Sequence, residues 1–150
     1  MPGKRYETPQ LLAFDLLLRT ALELDLQLGQ ALRPAEVTPA QYNVLRILRN
    51  AGADGVACGE IAERLVRPDP DVTRLLDRLE ARKYVTRARD TADRRVVLAR
   101  ITAAGLAVLA RHAPQVAALH AAQFARLGRA EFRALVALIA QLRGDDAAGA

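Results

Sequence analysis

Residues 58–102 read CGEIAERLVRPDPDVTRLLDRLEARKYVTRARDTADRRVVLARIT, and this stretch decides the fold. A short helical pattern leads through a Pro-Asp-Pro turn into a second, amphipathic helix, and two β-prone runs follow at once. Helix, turn, helix and hairpin in this order predict a winged helix-turn-helix. The predicted lobe extends over residues 38–101, and the fold class is mainly α with a small β-wing.

The second helix of this stretch, at residues 70–82, has one apolar face and one polar face. At about 100° per residue, Val72, Leu75 and Leu79 fall on one side. Asp69 is expected to cap the helix and Pro70 to start it. A recognition helix needs this division, because its buried face anchors it while its outer face enters the major groove of DNA. The outer-face residues expected to meet DNA are Pro70, Thr73, Arg74 and Arg78.

The β-prone runs at 85–89 and 96–101 predict a hairpin with a polar tip. Arg94 and Arg95 stand at that tip, and a short cationic ribbon can reach the strongly negative minor groove. We expect Asp93 to orient one of these arginines. Arg87 and Arg89, on the first strand, are expected to meet phosphates.

Charge is concentrated in this module. Residues 72–100 hold nine Lys or Arg and four Asp or Glu, a balance of +5 that equals the formal net charge of the whole chain. The remaining residues are therefore neutral in sum. A neutral scaffold with one basic module is the electrostatic pattern of a phosphate-binding surface.

Length and composition indicate one globular domain. The chain has 150 residues, of which 51% are hydrophobic and only 4% aromatic, so a helical core of Leu, Ala and Val is expected. A single cysteine excludes an intramolecular disulfide and favours a reducing, cytoplasmic location. No signal peptide is expected, and no apolar run approaches the roughly 20 residues of a membrane span, so no membrane association is predicted.

Leu-rich and Ala-rich helical regions flank the central module, at 9–33 and 103–143. The first is apolar on more than one face, which indicates either a subunit interface or an ordinary buried core helix. We interpret both regions as dimerisation helices, followed by a disordered tail at 144–150. The interface residues predicted from these patterns are Leu11, Phe14, Leu18, Leu135, Leu138 and Leu142.

The sequence contains no constellation typical of an enzyme. His112 and His120 lack metal-ligand spacing, and there is no Gly-rich phosphate loop or nucleophile motif. No catalytic residue, metal or cofactor is therefore predicted. Two alternative functions stay open. The winged helix could bind another protein instead of DNA. The chain could also be a redox-responsive regulator through Cys58, which stands near a helix N-terminus.

The chain resembles regulators of the multiple antibiotic resistance (MarR) type. The resemblance covers nearly the whole chain in order and spacing. It is carried by Thr38-Pro39-Ala40-Gln41-Tyr42-Asn43-Val44-Leu45, Glu60-Ile61-Ala62-Glu63-Arg64-Leu65, Val72-Thr73-Arg74-Leu75-Leu76-Asp77-Arg78-Leu79-Glu80, Asp93-Arg94-Arg95 and Ile101-Thr102-Ala103-Ala104-Gly105.

This resemblance implies a homodimeric transcriptional regulator, more often a repressor, that binds a double-stranded operator. It implies that helix 70–82 enters the major groove and that Arg94 enters the minor groove. It also implies a small lipophilic or aromatic effector, bound between the dimer helices and the DNA lobe at residues the sequence does not identify. Two departures stand out: Lys83 replaces the usual Gly before the wing, and Cys58 is not at the position of the peroxide-sensing members.

Overall fold

Six α-helices and three β-strands make up the part of the chain that the computed structural model describes, residues 8–66 and 71–144. In chain order they are α1 (Pro9–Ala31), α2 (Pro39–Ala51), β1 (Val56–Ala57), α3 (Cys58–Arg64), α4 (Val72–Ala81), β2 (Val85–Arg89), β3 (Val97–Ile101), α5 (Ala103–Gln123) and α6 (Arg129–Arg143). This order confirms the predicted winged helix-turn-helix flanked by helical regions.

Polar side chains fix the starts of the first two helices. The Thr8 hydroxyl accepts from the Leu11 amide at 3.2 Å, and Pro9 begins α1. At α2 the Gln41 amide donates to Thr38 Oγ1 at 3.2 Å, while the Thr38 amide donates to Gln41 Oε1 at 2.9 Å. This reciprocal pair satisfies two amides that the helix itself leaves free.

The helix α4, predicted at residues 70–82, begins later than the sequence indicated. Asp71 is its N-cap, since Asp71 Oδ1 accepts from the Arg74 amide at 3.0 Å, and the first helical residue is Val72. The expected cap Asp69 and the expected first residue Pro70 lie outside the described residues. The start at Val72 replaces the predicted start at 70.

The wing is a three-stranded antiparallel sheet in the order β1-β3-β2. Ala99 in the central strand pairs with Val56 on one side and with Arg87 on the other. The predicted hairpin is present, although β3 begins at Val97 instead of 96, and the two-residue strand β1 adds a third strand to it. Because β2 is at the edge of the sheet, its outward-facing amides need partners from another element.

The chain is divided into two compact units. The first ends at Val116, and the second starts at Ala117. The first unit contains the core. On the apolar face of α4, Leu75 and Leu79 are buried as predicted and Val72 is half-buried. The largest fully buried side chains are Leu32, Leu45, Leu48, Ile61, Leu76, Leu79 and Leu109.

The second unit contains the end of α5 and the whole of α6. Phe124 packs edge-on against Phe132 with ring centroids 5.3 Å apart, and the Gly128 amide donates to Glu131 Oε2 at 2.6 Å. α6 ends at Arg143 with Gly144 as its C-cap, and the rest of the predicted tail lies outside the described residues. Within the described ranges, no helix has the length and apolarity needed to cross a membrane.

Candidate nucleic-acid interface

The outer face of α4 presents Thr73, Arg74 and Arg78 to solvent. Arg74 is tied only loosely, with Nε 3.5 Å from Asp71 Oδ2 and its side chain 69% exposed. An exposed guanidinium on an anchored helix can donate two parallel hydrogen bonds to a guanine edge or to a phosphate. The structure therefore leaves these three predicted contacts available.

Backbone hydrogen bonds, together with Asp93, shape the tip of the wing. The Val96 amide donates to Asp93 O at 2.9 Å, and the Arg95 amide donates to Asp93 Oδ1 at 3.0 Å. Arg95 Nε lies 3.8 Å from the same carboxylate, but its side chain is 95% exposed. Asp93 thus organises the turn chiefly through the backbone, and Arg94 and Arg95 project from it into solvent.

Arg87 has a different environment from the phosphate contact expected of it. Its Nη2 lies 2.6 Å from Asp77 Oδ1 and 2.6 Å from Glu80 Oε2, and its side chain is only 23% exposed. The hydrogen bond to Glu80, reinforced by that to Asp77, raises the pKa of Arg87 against the opposing effect of burial. These contacts favour a role inside the protein.

Two further basic residues of the module are also engaged internally. Arg82 donates to the carbonyl and carboxylate of Glu36, with Nη2 2.6 Å from Oε2, and lies over the Tyr84 ring at 5.1 Å. Arg100 Nε donates to Ala53 O at 2.8 Å. The basic charge counted from the sequence is therefore only partly available to DNA. The exposed share consists of Lys83 and the arginines Arg74, Arg78, Arg89, Arg94 and Arg95.

Comparisons with known proteins agree on one family. A family model described as MarR family matches residues 35–96. The HTH-type transcriptional repressor MdtR of Bacillus subtilis (strain 168) is 44% identical over 61 residues, which span 41% of this chain and 38% of that repressor's length. The crystal structure of a MarR transcription factor from Planctomyces limnophilus has 34% identity and a TM-score of 0.70, over 90% of this chain and 98% of that one. This chain belongs to the MarR family.

MarR-family proteins are DNA-binding transcription regulators and not enzymes, and this chain is a regulator of that class. Bordetella bronchiseptica BpsR, whose DNA binding is regulated by 6-hydroxynicotinic acid, is also similar. It shares 27% identity and a TM-score of 0.78, over 88% of this chain and 98% of that one. The likeness extends over both units of the chain.

The reactivity of Cys58 decides whether the redox alternative is supported. Cys58 is the first residue of α3, directly after the N-cap Ala57. Burial raises the pKa of the Cys58 thiol, and the nearby charge of Arg87 opposes this only in part. Because the thiolate is the reactive form, this environment disfavours the redox alternative.

Sequence inspection missed the internal partners of the basic residues. Glu36 and Ala53 are distant in sequence from Arg82 and Arg100, so no local pattern could reveal those pairs. Asp77 and Glu80, three apart on the predicted DNA-facing helix, did offer a signal. Two carboxylates on a surface meant for phosphates call for a neutralising cation nearby.

Proposed function

We propose that this MarR-family chain is a homodimeric repressor that binds a pseudo-palindromic operator and releases it when a small effector binds. The exposed cationic side of α4, paired with a wing tip carrying two solvent-directed arginines, is the observation that supports operator binding. Helix 72–81 would lie in the major groove through Thr73, Arg74 and Arg78. Arg94 and Arg95 would reach the minor groove, and Arg89 the backbone.

Dimerisation is supported by two helices whose apolar side chains stay largely exposed in a single chain. Neither α1 nor α6 has a buried residue, although both are rich in leucine. Phe14 is 61% exposed and Leu142 is 73% exposed. Exposed apolar faces of this kind are typical of interfaces. The proposed interface residues are Leu11, Phe14, Leu18, Leu135, Leu138 and Leu142, of which Leu135 is already half-buried within its own chain.

An effector site is supported by a cavity of about 360 Å³ in the first unit. Ala104, Ala107 and Val108 give it an apolar wall, and Arg111 and His112 add polar groups. This volume falls within the range of about 300–1,000 Å³ typical of small-molecule sites. The cavity adjoins Arg82 and Tyr84, directly after α4, so an occupant there would contact the segment that joins the recognition helix to the wing.

Selection from a random-sequence duplex pool tests the proposal. We expect the purified protein to enrich a two-fold symmetric sequence whose half-sites are about one helical turn apart, because two α4 helices related by a dimer axis read successive major grooves. Sedimentation should show a dimer. Enrichment of no sequence would contradict operator binding and favour the protein-interaction alternative.

A regulator acting on chromosomal DNA works in the cytoplasm.

A further inference from the structure

Arg87 fastens the first strand of the wing to the recognition helix. Its Nη2 donates to Asp77 Oδ1 and to Glu80 Oε2, both at 2.6 Å, and its Nε donates to Glu80 Oε2 at 3.0 Å. Its own backbone amide donates to Glu80 Oε1 at 3.1 Å. Side chain and main chain of one β2 residue are thus held by two carboxylates of α4.

The position of Arg87 in the sheet explains why its amide is available. β2 is an edge strand, and Arg87 pairs with Ala99 on its inner side only. The carboxylate of Glu80 covers part of the open edge, and the guanidinium lies over the same carboxylate with little exposure to water. A planar fork with several fixed donors holds two elements at a defined angle better than a single flexible ion pair does.

We propose that Arg87 is a positioning residue for DNA recognition, which with Asp77 and Glu80 fixes the wing relative to α4. Helix and wing must reach two different grooves of one duplex, so their mutual placement decides whether both fit at once. We call the contacts of Arg87 with Asp77 and Glu80 the brace. Because the brace sets this placement before DNA binds, less conformational entropy is lost on binding. The inference rests on the proposed operator binding.

Removing the negative charge of Asp77 or Glu80 distinguishes positioning of the wing from simple electrostatic attraction to DNA. Asp77 and Glu80 are carboxylates beside the exposed arginines of α4, so their removal should strengthen attraction to any duplex. If they act by holding Arg87, their removal should instead weaken binding to the correct sequence. Specific and nonspecific duplexes therefore respond in opposite directions.

Glu80→Gln tests this directly. The probes are the duplex that the wild-type protein selects from a random pool and a shuffled duplex of equal length and composition, both followed by fluorescence anisotropy. We expect at least about a fivefold loss of affinity for the selected duplex, with unchanged or tighter binding to the shuffled one. Glu60→Gln is the matched control, since Glu60 pairs with Arg64 inside α3 and the charge change is the same.

Arg87→Lys provides a second, independent variant. Lysine keeps the charge but not the fork, so the brace predicts the same loss of selectivity, whereas a phosphate contact predicts near wild-type binding. Wild-type affinity for the selected duplex in Glu80→Gln or in Arg87→Lys overturns the inference. If the wild-type protein selects no sequence, operator binding itself fails, which is a distinct result and removes the basis of the brace.

Discussion

Lys83 occupies a backbone conformation that favours glycine. Its φ is 60°, in the left-handed region. Its amide donates to Glu80 O at 2.8 Å, and the next amide, of Tyr84, donates to Leu79 O at 2.9 Å. This pair of bonds is the Schellman arrangement that ends a helix, whose left-handed residue is usually Gly. Lys83 therefore forms this turn at a cost in backbone strain.

Lys83→Gly should stabilise the protein. Relief of the left-handed strain, about 1–2 kcal/mol, is partly offset by the larger unfolded-state entropy of glycine, about 0.5–1 kcal/mol. We expect a net gain of about 0.5–1 kcal/mol in the free energy of unfolding, measured by urea denaturation. Lys83→Ala is the control, because it removes the same side chain and keeps the strain. Equal stability of the two variants would contradict the explanation.

Cys58 should titrate above its ordinary range, because burial favours the neutral thiol. The folded state then holds this proton more tightly than the unfolded chain does. Its contribution to stability is complete below the unfolded pKa and is lost as pH rises through the folded one. We expect the pH–rate profile of iodoacetamide alkylation to have a higher midpoint in the native protein than in urea. A native midpoint below the urea value would restore the redox alternative.

At the level of elements, α5 starts in close contact with the segment that links α4 to the wing. The Thr102 amide donates to Tyr84 O at 3.0 Å, and Thr102 Oγ1 donates to Lys83 O at 2.7 Å. Gly105, one turn further, is buried against the same segment. A Cβ on Gly105 would lie 2.4 Å from Tyr84 O and 2.8 Å from Ile101 Cγ1.

Gly105→Ala should therefore destabilise the lobe. A backbone carbonyl cannot move aside as a flexible side chain can, so we expect a loss of about 1–3 kcal/mol in the free energy of unfolding. Gly59→Ala, on α3, is the matched control, since nothing lies within 4 Å of a Cβ there. That substitution, in the first turn of α3, should leave the free energy of unfolding unchanged or slightly raise it. Thermal denaturation of both variants checks the sign, and a neutral Gly105→Ala would contradict the packing argument.

Elements with strong periodicity could be predicted from the sequence, and their exact junctions could not. The apolar side of α4 follows from Leu75, Leu76 and Leu79, whose helical spacing leaves no alternative face to bury. The start of α4 was missed because Asp69 and Asp71 are both good caps, so local chemistry does not choose between them. The brace at Arg87 was missed because its geometry depends on how strand and helix pack, which no single element encodes.

At the scale of the whole molecule, the charge count predicted a larger DNA-binding surface than the exposed side chains of the structure support. The balance of +5 in residues 72–100 pointed to the module that contains α4 and the wing. Arg82, Arg87 and Arg100 nevertheless serve the fold, because each lies next to an acceptor on another element. A count of charges does not distinguish cations that face solvent from cations that join elements. The exposed arginines of α4 and the wing tip are the ones that we propose for DNA contact.

The salt dependence of operator binding should report both the wing contact and the number of subunits. Each phosphate neutralised contributes about 0.9 to the slope of log K against log salt concentration. If Arg94 meets a phosphate along the minor groove, Arg94→Ala should flatten the slope by about 2 in a dimer, in which both wings lose a contact, and by about 1 in a monomer. The control is Arg129→Ala, on α6, because Arg129 is not among the residues proposed to contact DNA. It carries the same charge change and should leave the slope unaltered. An unaltered slope for Arg94→Ala on the selected duplex would remove this wing-tip contact from the proposed interface.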